Sequence, residues 1–293
     1  MKIVNRLLLL FLFVASHALA VSVRDDAGRT VTLPQPAKRI IATAPHITEL
    51  LFAAGGQGKI VGVTGYSDYP AAARAIPQVG DVRQLDIERV LALKPDLLVV
   101  WKGGNPERQI EQLQRLGIPV YYSDPHDLKD IPAGILSLGK LLGTESVAQK
   151  NASELSRKLH KLSAQYGKRP VVRVFYQVSE RPLYTLNGRH IVSDAIRVCG
   201  GRNVFSDMKV TAPNISLESV LKENPEIIFN SSVEEGKSGL DLWRRYATLE
   251  AVRRGNLFDI NPDLLDRAGP RMIDGTAVLC EKMEQARQNR RKR

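Results

Sequence analysis

The stretches IERVLALKPDLLVV (87–100) and LESVLKENPEIIFN (217–230) align without a gap. Glu88 matches Glu218, Val90-Leu91 matches Val220-Leu221, Pro95 matches Pro225, Asp96 matches Glu226, and apolar pairs follow in both. In each copy an apolar stripe at helical spacing runs into a proline, which lacks an N–H and cannot continue a helix. A short apolar run of the length of a buried strand comes next. A second echo lies downstream in the same order: LQRLGIPVYYSD (113–124) against EAVRRGNLFDIN (250–261). Two such units repeated in one order predict two similar α/β lobes.

The rest of the chain fits that plan. KRIIAT (38–43), KIVGVT (59–64), DLLVVW (96–101) and IPVYYS (118–123) read as strands, separated by the helical stretches HITELLFAAGG (46–56), IERVLALK (87–94) and NPERQIEQLQRLG (105–117). Strands alternating with helices imply mainly parallel sheets covered by helices. From about Leu128 to Tyr166 the strand signal stops. Leu155, Leu159, Leu162 and Tyr166 fall four, three and four residues apart in a polar background, which predicts one long amphipathic helix. Over 145–166 it would be about 33 Å long, the width of a small domain, and Gly167 and Pro170 end it. Alternation resumes with VVRVFYQV (171–178), LYTL (183–186), EIIFN (226–230) and NLFDIN (256–261). The predicted organisation is an N-terminal lobe at 21–140, a rigid linker helix at 141–168, a C-terminal lobe at 169–286 and a ligand cleft between the lobes.

Residues 1–20 are set apart. Lys2 and Arg6 precede an apolar run, Leu7 to Ala15, that is too short to span a bilayer, and Ala18-Leu19-Ala20 is a small-residue cleavage site. This pattern predicts a secretory signal peptide and an exported mature chain starting near Val21. No cysteine follows the cleavage site, so a lipid anchor is not expected. The two cysteines, Cys199 and Cys280, are expected to pair in an exported protein. The formal charge is +11, and much of it lies in the tail RQNRRKR (287–293). An exported chain meets little nucleic acid, so the tail is read as a solvated basic end.

Ligands of open α/β sheets bind beyond the carboxyl ends of the strands. GYSDYP (65–70), WKGGN (101–105) and NPDLLDRAGPR (261–271) all sit there. Tyr66, Tyr69 and Trp101 offer flat apolar faces with a polar tip, and Gly103 and Gly104 permit close backbone approach. His46 follows Pro45 at a helix start beside the cleft. The chain has no G-x-S-x-G elbow, phosphate loop or H-E-x-x-H motif. His126, His160 and His190 are scattered rather than spaced as metal ligands. The expectation is therefore a binding protein, with no catalytic residues, dedicated metal site or cofactor. Glu88 and Glu218 lie one per lobe at helix starts, after the capping candidates Asp86 and Ser216.

APHITELLFAAG, VGVTGYSDYP, LDIERVLALKPDLLVVWKGGNPERQ, RVCGGRNVF and DLLDRAGPR, which span nearly all of the mature chain, resemble the helical-backbone substrate-binding family. That family serves ABC transporters for metals, siderophores, haem and corrinoids, and the tracts YSDYP and WKGGNPERQ are closest to its corrinoid branch. The resemblance implies two lobes bridged by one rigid helix with little closure. It implies corrin contact by Tyr66 and by Asp263, Leu264, Leu265, Asp266 and Arg267, with Trp101 and Gly103 close by. Glu88 and Glu218 would dock on arginines of a permease dimer, and Cys199 and Cys280 match a pair that bonds in the corrinoid branch. The expected protein is a periplasmic monomer that hands cobalamin or a related corrinoid to an importer. The alternative is a binder of haem or a ferric siderophore. GDVRQL (80–85) and VTAPNI (210–215) lack the cleft tryptophans of the corrinoid branch, and Leu264-Leu265 replace aromatics there.

Overall fold

The computed structural model describes residues 20–231, 233–234 and 237–290. The predicted signal peptide, apart from Ala20, lies outside the described residues.

A hairpin, β1 (Val21–Arg24) with β2 (Thr30–Leu33), opens the chain. The N-terminal lobe is built on β3 (Ile40–Ala42), β4 (Ile60–Val63), β5 (Leu97–Trp101) and β6 (Val120–Ser123), paired in the order β4-β3-β5-β6 and parallel throughout. Its crossover helices are α1 (Pro45–Ala53), α2 (Ile87–Ala92) and α3 (Glu107–Arg115). Leu97 to Val100 are fully buried, as expected of a strand covered on both faces.

Two antiparallel helices follow. α4 (Asp130–Leu142) ends at Gly143, whose φ of 64° turns the chain into α5 (Glu145–Tyr166). The rigid linker therefore begins at Glu145, not at 141. Its apolar stripe is the one read from the spacing: Ala148 and Ala152 are buried, and Leu155, Leu159, Leu162 and Tyr166 pack half-buried on the core. α4 and α5 approach closely at Gly139, where an added Cβ would lie 2.2 Å from the Cβ of Ala148.

The second lobe repeats the first. β7 (Val172–Gln177) pairs in parallel with the strands Gly201–Asn203 and Ile227–Asn230, and Leu257–Asp259 completes the sheet. Counted along the chain, both sheets run second-first-third-fourth. The crossovers include α6 (Ile191–Val198) and α7 (Leu217–Glu223). The correspondence reaches the capping chemistry. Asp86 accepts from Arg89 N at the start of α2, and Ser216 accepts from Ser219 N at the start of α7. Lys94 (φ 46°) and Asn224 (φ 42°) both enter the left-handed region just before the matching prolines, whose rings disfavour the helical region for the preceding residue.

One buried cluster extends through both lobes along the α5 side, from Ile40 and Leu97 to Val174, Cys199 and Leu279, and a smaller cluster fills the far face of each sheet. The C-terminal helix (Arg271–Asn289) lies against α5 and α6. Cys280 of this helix is disulfide-bonded to Cys199, the cap of α6.

The first part of the basic tail is corrected by this helix, while Arg291, Lys292 and Arg293 lie outside the described residues. Arg287 is not solvated: only 6% of it is exposed. Its guanidinium donates to the carbonyls of Cys199 (2.7 Å), Gly200 (3.1 Å) and Pro170 (2.8 Å) and pairs with Glu284. Arg290 pairs with Glu226. The end of α6 leaves carbonyls without helical partners, and a planar five-donor fork satisfies them. Charge density alone does not reveal that geometry.

Candidate ligand-binding cleft

A cavity of about 620 Å³ opens between the lobes. All four strands of the first sheet feed it from their carboxyl ends: β3 through Pro45 and His46, β4 through Gly65 and Tyr66, β5 through Trp101 and Gly103, and β6 through Asp124 to His126. The second lobe supplies Leu186, His190, Ile191, Thr211 and Ala212, and then Leu265 to Ala268.

The aromatic wall is held from behind. Asn105, nearly buried, accepts from Thr43 Oγ1 (2.6 Å) and Trp101 N (2.8 Å) and donates to the carbonyls of Thr43 (2.9 Å) and Val82 (3.1 Å). This one amide binds together the loops after β3 and β5 and the segment before α2. Gly104 makes room for the Trp101 ring, because a Cβ there would lie 2.1 Å from the indole. The Gly-Gly pair thus admits the protein's own indole, while Gly103 faces the cleft. The His46 ring meets Trp101 edge-on at 5.3 Å. Burial first, and then the charge of Arg267, lowers the His46 pKa to about 4, so the ring is neutral. It is 5% exposed and its Nε2 has no hydrogen-bond partner. His190 accepts from Val192 N through Nδ1 and caps α6, and burial lowers its pKa to about 4 as well.

Charged contacts bridge the lobes on two sides of the cavity. On one, Asp194 accepts from Leu128 N at 2.8 Å and Arg197 reaches Asp127 at 3.4 Å. On the other, Arg267 pairs with Asp68 (2.8 Å) across the boundary and with Asp263 (2.9 Å) in its own lobe, with Glu49 at 3.7 Å. Arg271 holds Glu49 by two bonds of 2.7 and 3.1 Å and lies over the Tyr69 ring at 4.1 Å. Burial raises the Glu49 carboxyl above its ordinary range despite Arg271. The bond from Arg267 lowers that of Asp68. Asp266 accepts from the hydroxyl of Tyr176 at 2.9 Å, and desolvation raises it to about 6.

Of the residues picked from the sequence, His46, Tyr66, Trp101, Gly103, Leu265, Asp266 and Arg267 converge on the cavity. Asp263 and Leu264 do not line it. The short helix Pro262–Leu265 turns Asp263 onto Arg267 and sets Leu264 against Gly275 of the C-terminal helix. Sequence reasoning missed Asp124, His126, His190, Thr211 and Ala212. The position of IPVYYSD at a strand end was available as a signal for the first two. Among the described residues no group of three or more His, Cys, Asp or Glu is arranged to hold a metal, and no helix is long and apolar enough to cross a membrane. Glu88 and Glu218 stand exposed in the first turns of α2 and α7, at matching places in the two lobes.

Comparison with known proteins agrees with this architecture. The family model described as periplasmic binding protein matches residues 40–264. A vitamin B12-binding protein of Vibrio cholerae is 39% identical over 248 residues, which is 84% of this chain and 89% of that protein. The crystal structure of the periplasmic vitamin B12-binding protein BtuF of Vibrio cholerae superposes with a TM-score of 0.80 at 37% identity, covering 86% of this chain and 98% of that one. A periplasmic heme-binding protein of Pseudomonas aeruginosa superposes with a TM-score of 0.72 at 28% identity, covering 83% and 91%.

Proposed function

This chain belongs to the periplasmic binding protein family, and on that premise we propose that it captures a corrinoid, cobalamin or a relative with another lower base, and delivers it to an ABC importer. Its near relatives carry the name vitamin B12-binding protein. The leader pattern supports export to the periplasm, where a binding protein meets its permease. Tyr66, Trp101 and neutral His46 would contact the corrinoid from one lobe, and Leu265, Asp266 and Arg267 from the other.

The observation that carries the corrinoid over its rivals is electrostatic. Arg267 is the one guanidinium lining the cavity among the described residues, no lysine lines it, and Arg267 is already paired with Asp68 and Asp263. The lining adds the carboxylates Asp124 and Asp266. Haem brings propionates and many ferric siderophores are anions. Either would enter a cleft with no spare cation, and a desolvated charge without a partner is strongly disfavoured. A corrinoid presents neutral carboxamides around an apolar macrocycle, which suits aromatic walls, a neutral imidazole and carboxylate acceptors.

Delivery is assigned to Glu88 and Glu218, one exposed carboxylate per lobe, facing basic sites on a permease dimer. Reversing both charges (Glu88→Arg, Glu218→Arg) is expected to leave cyanocobalamin affinity unchanged and abolish uptake in cells lacking the native protein. Loss of affinity instead would assign the carboxylates to ligand binding and refute the docking role.

A further inference from the structure

Tyr66 has an unusual combination of properties. It is 81% exposed, and its φ of 63° lies in a region that bulky side chains rarely enter. An exposed ring gives little packing energy to hold such a backbone. A strained conformation persists only where the surroundings over-determine it. Within its own lobe the loop is fixed by Gly65 N to Gly80 O (2.9 Å), by Asp68 N to Tyr66 O (3.0 Å) and by the hydroxyl pair Thr48–Ser67 (3.1 Å). Arg74 Nε also donates to Asp68 O at 3.3 Å within the lobe, and two further side-chain restraints come from the other lobe. Arg267 donates to Asp68 at 2.8 Å, and Arg271 stacks on Tyr69 at 4.1 Å while its other contacts fix it to Glu49.

We propose that Asp68 is a positioning residue: with Arg267 and Arg271 it forms an inter-lobe latch that completes the restraint on the 65–70 loop and presents Tyr66 to the ligand. The proposal rests on the corrinoid reading of the cleft. Asp68 is not part of the cavity lining and reaches the ligand only through its neighbours, Tyr66 in its own loop and Arg267 across the boundary; the loop route is the one that disappears when Tyr66 is removed. Capture and lobe apposition are thereby coupled. When the lobes separate, Arg267 leaves Asp68, the loop relaxes and Tyr66 no longer faces the ligand, which favours release at the permease.

Two measurements test this. In the ligand-free protein, Asp68→Ala is expected to accelerate amide hydrogen exchange in residues 65–69 by roughly tenfold, with α5 unchanged and with Asp68→Glu restoring protection. Unchanged exchange in that segment would overturn the latch whatever the ligand. In cyanocobalamin titrations, Asp68→Ala is expected to weaken binding by roughly three- to tenfold, mainly through faster dissociation. In a Tyr66→Ala background the Asp68→Ala change should add nothing further. Additive losses would show that Asp68 acts independently of Tyr66 and would also overturn the proposal. If the unaltered protein takes up no cyanocobalamin, the corrinoid reading falls and the exchange measurement alone decides the latch.

Discussion

Replacing Arg271 with alanine strikes the pair that joins the lobes most directly. The Glu49 side chain is 1% exposed, and Arg271 is its bidentate partner. Arg267, at 3.7 Å and engaged elsewhere, is a poor substitute. Breaking a buried pair from one side leaves an uncompensated charge and costs about 3–5 kcal/mol. Residual access along the arginine places the cost of Arg271→Ala near the lower end, about 3 kcal/mol, with a fall in melting temperature of about 6–12 °C for a chain of this size. Glu49→Gln is the informative contrast. It leaves a guanidinium that still reaches water and still stacks on Tyr69, so its cost is about 1 kcal/mol. The asymmetry has a pH signature. The folded-state pKa of Glu49 is already raised by burial and rises further without Arg271. A carboxyl with a raised folded value takes up a proton on folding, so its destabilising effect diminishes as pH falls. Urea unfolding followed by tryptophan fluorescence at about pH 7.5 and about pH 5 should show the Arg271→Ala deficit shrinking at the lower pH. Equal costs for the two variants, or a deficit that does not change with pH, would refute the buried-charge reasoning.

Reducing the Cys199–Cys280 bond opens a loop with a sequence separation of 81. The chain-entropy model assigns that loss about 4 kcal/mol, so a thermal melt with reductant should fall well below one without it. Gly139→Ala puts a methyl into the α4–α5 crossing against Ala148 and should destabilise by about 1–3 kcal/mol, read by urea midpoint; no change would mean that the helices separate freely. Asp266, raised to about 6, contributes stability that is lost as pH rises through that value. Asp266→Asn should remove that slope between about pH 4 and pH 6 in unfolding titrations.

The parts legible in the sequence were those encoded locally. The long helix was legible because leucines at three- and four-residue spacing fix its face and Gly167 and Pro170 end it, although the linker starts at Glu145 rather than at the expected 141. The duplicated sheet order followed from a repeat that preserves a proline, a capping residue and an apolar run. The cleft position followed from where strands end. The remainder depends on contacts between distant residues. Glu49 and Arg271 are 222 residues apart, and nothing in TELLFAAG announces a buried carboxylate awaiting a partner. Arg287 looked like one of several basic residues near a terminus, because its three carbonyl acceptors belong to other segments. Asp263 and Leu264 belong to one stretch with the cleft residues, but the turn of the short helix Pro262–Leu265 directs Asp263 onto Arg267 and Leu264 against the C-terminal helix.

The central claim is that an aromatic cleft without a spare cation selects a neutral corrinoid. Titration calorimetry of the mature protein with cyanocobalamin, run beside haemin and a ferric siderophore, tests it most directly. The account predicts saturable one-to-one binding of cyanocobalamin in the nanomolar range, about 12 kcal/mol, with no comparable uptake of the anionic controls. Tight binding of haemin or the siderophore with none of cyanocobalamin would contradict it.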